Sequence, residues 1–168
     1  MNIVLIGYRG TGKSCVGEIL GNRLEMTCIG MDKKIIESAG MPIPEIIEKF
    51  GWSKFRDMES ELVRQLSPCD QVIIDTGGGV IERPDNIEAL KRNGVIFWLK
   101  ASVNTIVERI HEDTQRPSLT AGKSFTEEVE EILTKRIPKY KKAAQFEIET
   151  DNLTPEQVAD KIMDILSV

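Results

Sequence analysis

Residues 7–14 read Gly-Tyr-Arg-Gly-Thr-Gly-Lys-Ser, with Gly7, Gly12, Lys13 and Ser14 at the spacing G-x-x-x-x-G-K-[ST]. That pattern is chemistry for phosphate. Glycines let the backbone curl until several N–H groups converge on one anion, at the positive end of the helix that follows. Gly10, Thr11, Gly12, Lys13, Ser14 and Cys15 are the residues such a curl brings to a nucleotide. Lys13 can reach its terminal phosphates, and the Ser14 hydroxyl can serve Mg2+. Cys15 falls in the first helical turn and reads as a small packing residue. The loop by itself leaves open what receives the phosphate.

The elements that must position these residues follow from the apolar pattern. Short β-branched runs occur at Ile3–Ile6, Thr27–Met31, Val72–Asp75, Val95–Leu99 and Phe146–Ile148. Unbroken runs of this length suit strands covered on both faces. Between them lie helical patterns. Val16, Ile19, Leu20 and Leu24 recur at helical spacing. A helix from near Ser53 continues through Leu66, another opens on Pro84, and Ser102 can cap one over Val103–His111. Ser124-Phe-Thr-Glu127 and Thr154-Pro-Glu-Gln157 both fit the capping box. Strand–helix alternation predicts an α/β fold with a five-stranded parallel sheet and helices on both faces. Residues 1–168 read as one domain, with a helical insertion at about 32–62 and a polar, turn-rich segment at about 112–124.

Composition narrows the function. A net charge of −5 argues against a general nucleic-acid binder. The basic run Lys139-Tyr140-Lys141-Lys142 reads as a solvated helix end. His111 is the one histidine, which removes Ser-His-Asp chemistry and multi-histidine metal sites. Three cysteines without C-x-x-C spacing fit a reducing compartment. The first apolar run is too short for a signal peptide or a membrane span. A cytoplasmic monomer that does not bind membranes is expected. No N-K-x-D signature for reading guanine is present, which argues against a GTPase switch.

Further along come Met31-Asp32, Phe55-Arg56-Asp57-Met58-Glu59, Gly77-Gly78-Gly79, Arg116-Pro117-Ser118-Leu119 and Lys135-Arg136-Ile137-Pro138-Lys139-Tyr140. In this order and spacing the chain resembles the shikimate kinases over nearly its whole length. The resemblance implies a three-layer P-loop kinase fold with a substrate-binding insertion and a lid at 112–124. It implies ATP and shikimate as substrates and transfer of the γ-phosphate to the 3-hydroxyl, with Mg2+ as cofactor. Arg56 and Arg136 then clamp the carboxylate, as planar guanidinium forks do. Asp32, at a strand's carboxyl end, holds the ring hydroxyls and can accept the proton of the attacking one. Gly77, Gly78 and Gly79 allow close approach of the acceptor. Arg116 in the lid meets the transferring phosphate, and Arg109 and Pro155 flank the adenine.

Each assignment has a plainer counterpart. Arg56 and Arg136 can pair with acids on their own helices, for example Arg56 with Glu59. Asp32 can be a helix N-cap, the glycines a tight turn, and Arg116 a solvated loop residue. A kinase of gluconate or a nucleoside monophosphate stays open, as does a nucleotide-binding regulatory protein with little transfer activity.

The chain departs from the family at one point. The family's Asp-x-Asp is Gly30-Met31-Asp32 here, so the carboxylate that helps hold Mg2+ is missing. The third apolar run ends in Asp75, where many P-loop proteins carry a magnesium aspartate. The expectation is that the metal-side carboxylate has moved to the third strand, so that Ser14 and Asp75 serve the ion together.

Overall fold

The structure is a computed structural model that describes residues 1–110 and 124–168. Arg116 and the rest of the expected lid up to residue 123 lie outside the described residues. The chain runs β1 (Asn2–Ile6), α1 (Lys13–Leu24), β2 (Thr27–Gly30), α2 (Met31–Ala39), α3 (Ile43–Leu66) and β3 (Val72–Asp75). A 3-10 turn (Val80–Glu82) leads to α4 (Pro84–Lys91), β4 (Gly94–Lys100), α5 (Val103–Ile110), α6 (Phe125–Ala143), β5 (Phe146–Glu149) and α7 (Pro155–Leu166). The five strands form one parallel sheet in the order β2-β3-β1-β4-β5.

Alternation along each strand divides the core in two. Ile3, Leu5, Ile73, Phe97 and Leu99 face one side, where Val16 and Leu20 of α1 meet Val158, Ala159 and Ile162 of α7. Val4, Ile6, Ile74, Ile96 and Trp98 face the other, packed by α4, α5, α6 and the end of α3. A buried side chain of this size contributes roughly 1.5–3 kcal/mol, so the apolar runs seen in the sequence account for the layers. A third, smaller cluster of Ile35, Ile43, Ile46 and Phe55 holds α2 and α3 together. This is the helical insertion, and it comes in three pieces because Gly51 breaks α3 with non-helical angles (φ 84°, ψ 167°).

Both expected capping boxes form: Ser124 accepts from the Glu127 N–H, and Thr154 from the Gln157 N–H. Ser102 likewise accepts from the Thr105 N–H at 3.2 Å. One expectation is corrected. Met31 opens α2 instead of ending β2, because its side chain is fully buried in the larger core cluster. Asp32 is therefore neither the last strand residue nor a helix N-cap. Gly30 is the N-cap, and Asp32 sits in the first helical turn.

Candidate active site

The carboxyl ends of the parallel strands face one edge of the sheet, where this architecture places ligands. There a cavity of about 670 Å3 opens, within the range of small-molecule sites. Its walls include Gly10, Gly12, Lys13, Ser14, Cys15, Asp32, Asp75, Gly77 and Gly78. Segments 9–15, 30–33 and 75–78, far apart in sequence, thus share one space.

The phosphate loop has the form its sequence predicts. Gly12 is the N-cap of α1 with left-handed angles (φ 92°, ψ 13°), and no side chain caps the helix. Only glycine adopts this conformation cheaply, and the uncapped N–H groups are those a phosphate satisfies. Lys13 curls back over the loop and donates to the Gly7 and Tyr8 carbonyls at 2.9 and 3.0 Å. Thr11 is buried and donates to the Tyr8 carbonyl at 2.9 Å, so its side chain braces the loop. Cys15 corrects its reading as a packing residue: it is exposed, on the cavity wall.

Ser14 Oγ donates to Asp75 Oδ2 at 2.6 Å. Asp75 is buried, and burial pushes its carboxyl above the ordinary aspartate value, against the pull of Lys13 and Ser14. Asp32 and Glu18 add repulsion in the same direction. Such a carboxylate, next to a hydroxyl on a phosphate loop, is a hard-oxygen donor set of the kind Mg2+ takes. Among the described residues no group of three or more His, Cys, Asp or Glu side chains stands ready to hold a metal alone. Mg2+ needs no such cage, since phosphate oxygens and waters complete its shell.

Arg56 and Arg136 stand behind the glycines. Arg56 pairs with Glu59 of its own helix, its guanidinium stacked over Trp52 and Phe55 at 5.4 and 5.5 Å. A Cβ on Gly79 would run into that guanidinium, so the glycine lets it lie against the backbone, and a side chain there would have to push it aside. Arg136 does not pair within its own helix. Its Nε donates to Glu82 Oε1 at 3.0 Å, and Lys139 donates to the other Glu82 oxygen at 2.8 Å. The Arg136 guanidinium also lies over the Tyr8 ring at 5.8 Å. Its Nη1 would be 3.5 Å from a Cβ on Gly78, and the Tyr140 hydroxyl donates to the Gly78 carbonyl. Both arginines are thus fixed in direction, one behind each of two successive glycines.

Arg109 and Pro155 are outside the cavity wall. Arg109 ties the phosphate loop to the end of β5, donating to Gly10 O at 3.2 Å and Thr150 O at 3.4 Å. Pro155 is the first residue of α7, where its missing N–H costs nothing. Sequence reading missed Glu82, Tyr8 and Arg9, which also line or support the site. The Glu82–Arg136 pair spans 54 positions, and no local pattern announces a contact at that distance.

A family model described as shikimate kinase matches residues 9–167. The shikimate kinase of Thermodesulfovibrio yellowstonii is 46% identical over 162 residues, 96% of this chain and 92% of its own. The chain belongs to the shikimate kinase family. A shikimate kinase from Caldicellulosiruptor bescii is 40% identical over 98% of this chain and 94% of its own. Among solved structures, shikimate kinase from Acinetobacter baumannii in complex with shikimate superposes with a TM-score of 0.93 at 33% identity, covering 99% of this chain and 93% of the other. Membership fixes the reaction class as phosphotransfer. Among the described residues no helix is long and apolar enough to cross a membrane.

Proposed function

We propose that the chain transfers the γ-phosphate of ATP to the 3-hydroxyl of shikimate, in the biosynthesis of chorismate and the aromatic amino acids. The observation that carries this is the pair of guanidiniums behind the successive glycines Gly78 and Gly79, the first of which lines the cavity of the phosphate loop. A carboxylated acceptor placed there puts its carboxylate on Arg56 and Arg136 and its hydroxyls toward Asp32. Each arginine already holds one glutamate, which leaves further N–H donors of its fork for the substrate. Gluconate also carries a carboxylate, but a nucleoside monophosphate would bring a bulky base to a clamp built for a small planar anion.

The residues divide the work. Backbone N–H groups of the loop and Lys13 bind the nucleotide phosphates. Asp32 orients the acceptor hydroxyl and takes its proton. Ser14 and Asp75 would hold Mg2+, which when bound neutralises charge on the phosphates. Arg109, Arg116 and Pro155 are assigned to the nucleotide side, Arg116 to the phosphate in transfer. Cys15, on the cavity wall, borders the nucleotide without chemistry of its own.

Phosphorus NMR of the product of ATP and shikimate tests the reading. A new phosphomonoester signal coupled to the ring proton at carbon 3 is expected. Release of inorganic phosphate alone would contradict it.

A further inference from the structure

Arg9 is the third residue of the phosphate loop and carries a charge that the nucleotide-binding pattern does not ask for. It is half-buried and lines the same cavity as Lys13, Asp32 and Gly78. Its backbone nitrogen lies 3.4 Å from the place of a Cβ on Gly78, so Arg9 starts at the seam between the phosphate loop and the acceptor side. Among the described residues the guanidinium packs against a neutral ring. Its Cζ lies 5.7 Å from the centroid of Phe125, the first residue of α6.

Arg56 has Glu59 and Arg136 has Glu82. Among the described residues Arg9 forms no ion pair. A guanidinium half out of water, matched by a ring face alone, keeps nearly its whole charge for an incoming anion. A cation–π contact is weaker than a charge-assisted bond to phosphate, so an arriving phosphate draws the side chain off Phe125.

We propose that Arg9 is a further phosphate-binding residue, which recognises the terminal phosphoryl group of ATP as it lies between the loop and Gly78. The acceptor's carboxylate is already served by Arg56 and Arg136, and the inner phosphates by the loop's N–H groups. The terminal phosphoryl is the anion left at the seam where Arg9 stands. Arg9 there shares the charge with Lys13 and favours the triphosphate over the diphosphate. The inference rests on the reading of this cavity as an ATP-dependent kinase site.

Calorimetry on Arg9→Met tests it, with Mg2+ and either ADP or a non-hydrolysable ATP analogue. Methionine keeps the length and can still pack on the Phe125 ring. Loss of one charge-assisted contact should weaken analogue binding by about tenfold or more. ADP binding should stay within a factor of about two, because ADP lacks the group Arg9 meets. Arg9→Lys should recover part of the loss. Equal losses for both nucleotides, or none for either, would overturn the proposal. If Arg9→Met does not fold, Arg9→Gln is read by the same criteria. No acceptor is present, so a negative result here leaves the shikimate assignment standing. Equally, absence of shikimate phosphorylation would leave the nucleotide preference measurable.

Discussion

Gly30 and Asp75 are register partners across the β2–β3 ladder, and a Cβ on Gly30 would stand 3.9 Å from Asp75 Oδ2. The two positions therefore offer a carboxylate to the same small volume beside Ser14. The resemblance to the family implies one at the first position, where this chain has glycine, and the chain carries an aspartate at the second. Two together would repel each other next to Asp32, which already raises the Asp75 carboxyl.

Relocation makes a reciprocal prediction. Asp75→Ala should lower Mg2+ affinity in the presence of nucleotide by about 10- to 100-fold. Gly30→Asp in that background should restore part of it, while Gly30→Asp alone should not improve on the parent. Manganese substitution followed by electron paramagnetic resonance reads the affinity without turnover. If Asp75→Ala keeps its Mg2+ dependence unchanged, the carboxylate has not moved there.

The acceptor clamp predicts a split between substrates. Arg136→Ala should raise the KM for shikimate far more than that for ATP, by roughly 2–5 kcal/mol in kcat/KM if the bond is fully lost. Gly79→Ala should act in the same direction through Arg56, since the new methyl must displace that guanidinium. Overpacking of this sort also costs about 1–3 kcal/mol of stability, read by thermal melting. Equal effects of Arg136→Ala on both KM values would remove Arg136 from the acceptor side.

Glu82 predicts a pH dependence of stability. Burial alone would push its carboxyl up, but Lys139 and Arg136 outweigh this and hold it below the ordinary value of 4.5. A depressed folded value means the unfolded chain takes up the proton first. The stabilisation is fully present above the ordinary value and is lost as pH falls through the lowered one. The stability gap between the parent and Glu82→Gln should therefore close as pH drops across that window. A gap that stays constant down to low pH would mean that Glu82 carries no net ionic stabilisation of Arg136.

The cysteines predict a labelling pattern. Cys15 is exposed on the cavity wall, whereas burial, with Asp75 and Glu18 adding to it, pushes the Cys28 thiol up to about 11. Alkylation at neutral pH should modify Cys15 well before Cys28, and ATP should protect Cys15. Mass spectrometry with and without nucleotide checks this. Modification of Cys15 that ignores ATP would place the nucleotide elsewhere.

The sheet and the phosphate loop were legible because local pattern dictates them. Apolar runs such as Val72–Asp75 read directly as strands, and the G-x-x-x-x-G-K-S spacing needs only its own backbone. The pairing of Ser14 with Asp75 was expected from the missing carboxylate at position 30, and the geometry supplies the hydrogen bond. What stayed hidden depends on contacts across the fold. Met31 reads as strand on its own and is pulled into α2 by a core it cannot announce. Glu82 and Tyr8 matter only once α6 has brought Arg136 beside them. Arg9 was invisible for the opposite reason, since a motif that fixes four of eight positions draws attention away from the others.

The most direct test is acceptor-dependent ADP release from ATP and Mg2+, measured against shikimate, gluconate and a panel of nucleoside monophosphates. The predicted result is stimulation by shikimate alone, abolished in Arg136→Ala at low shikimate. No stimulation by shikimate, or stronger stimulation by gluconate or a nucleotide, would contradict the account.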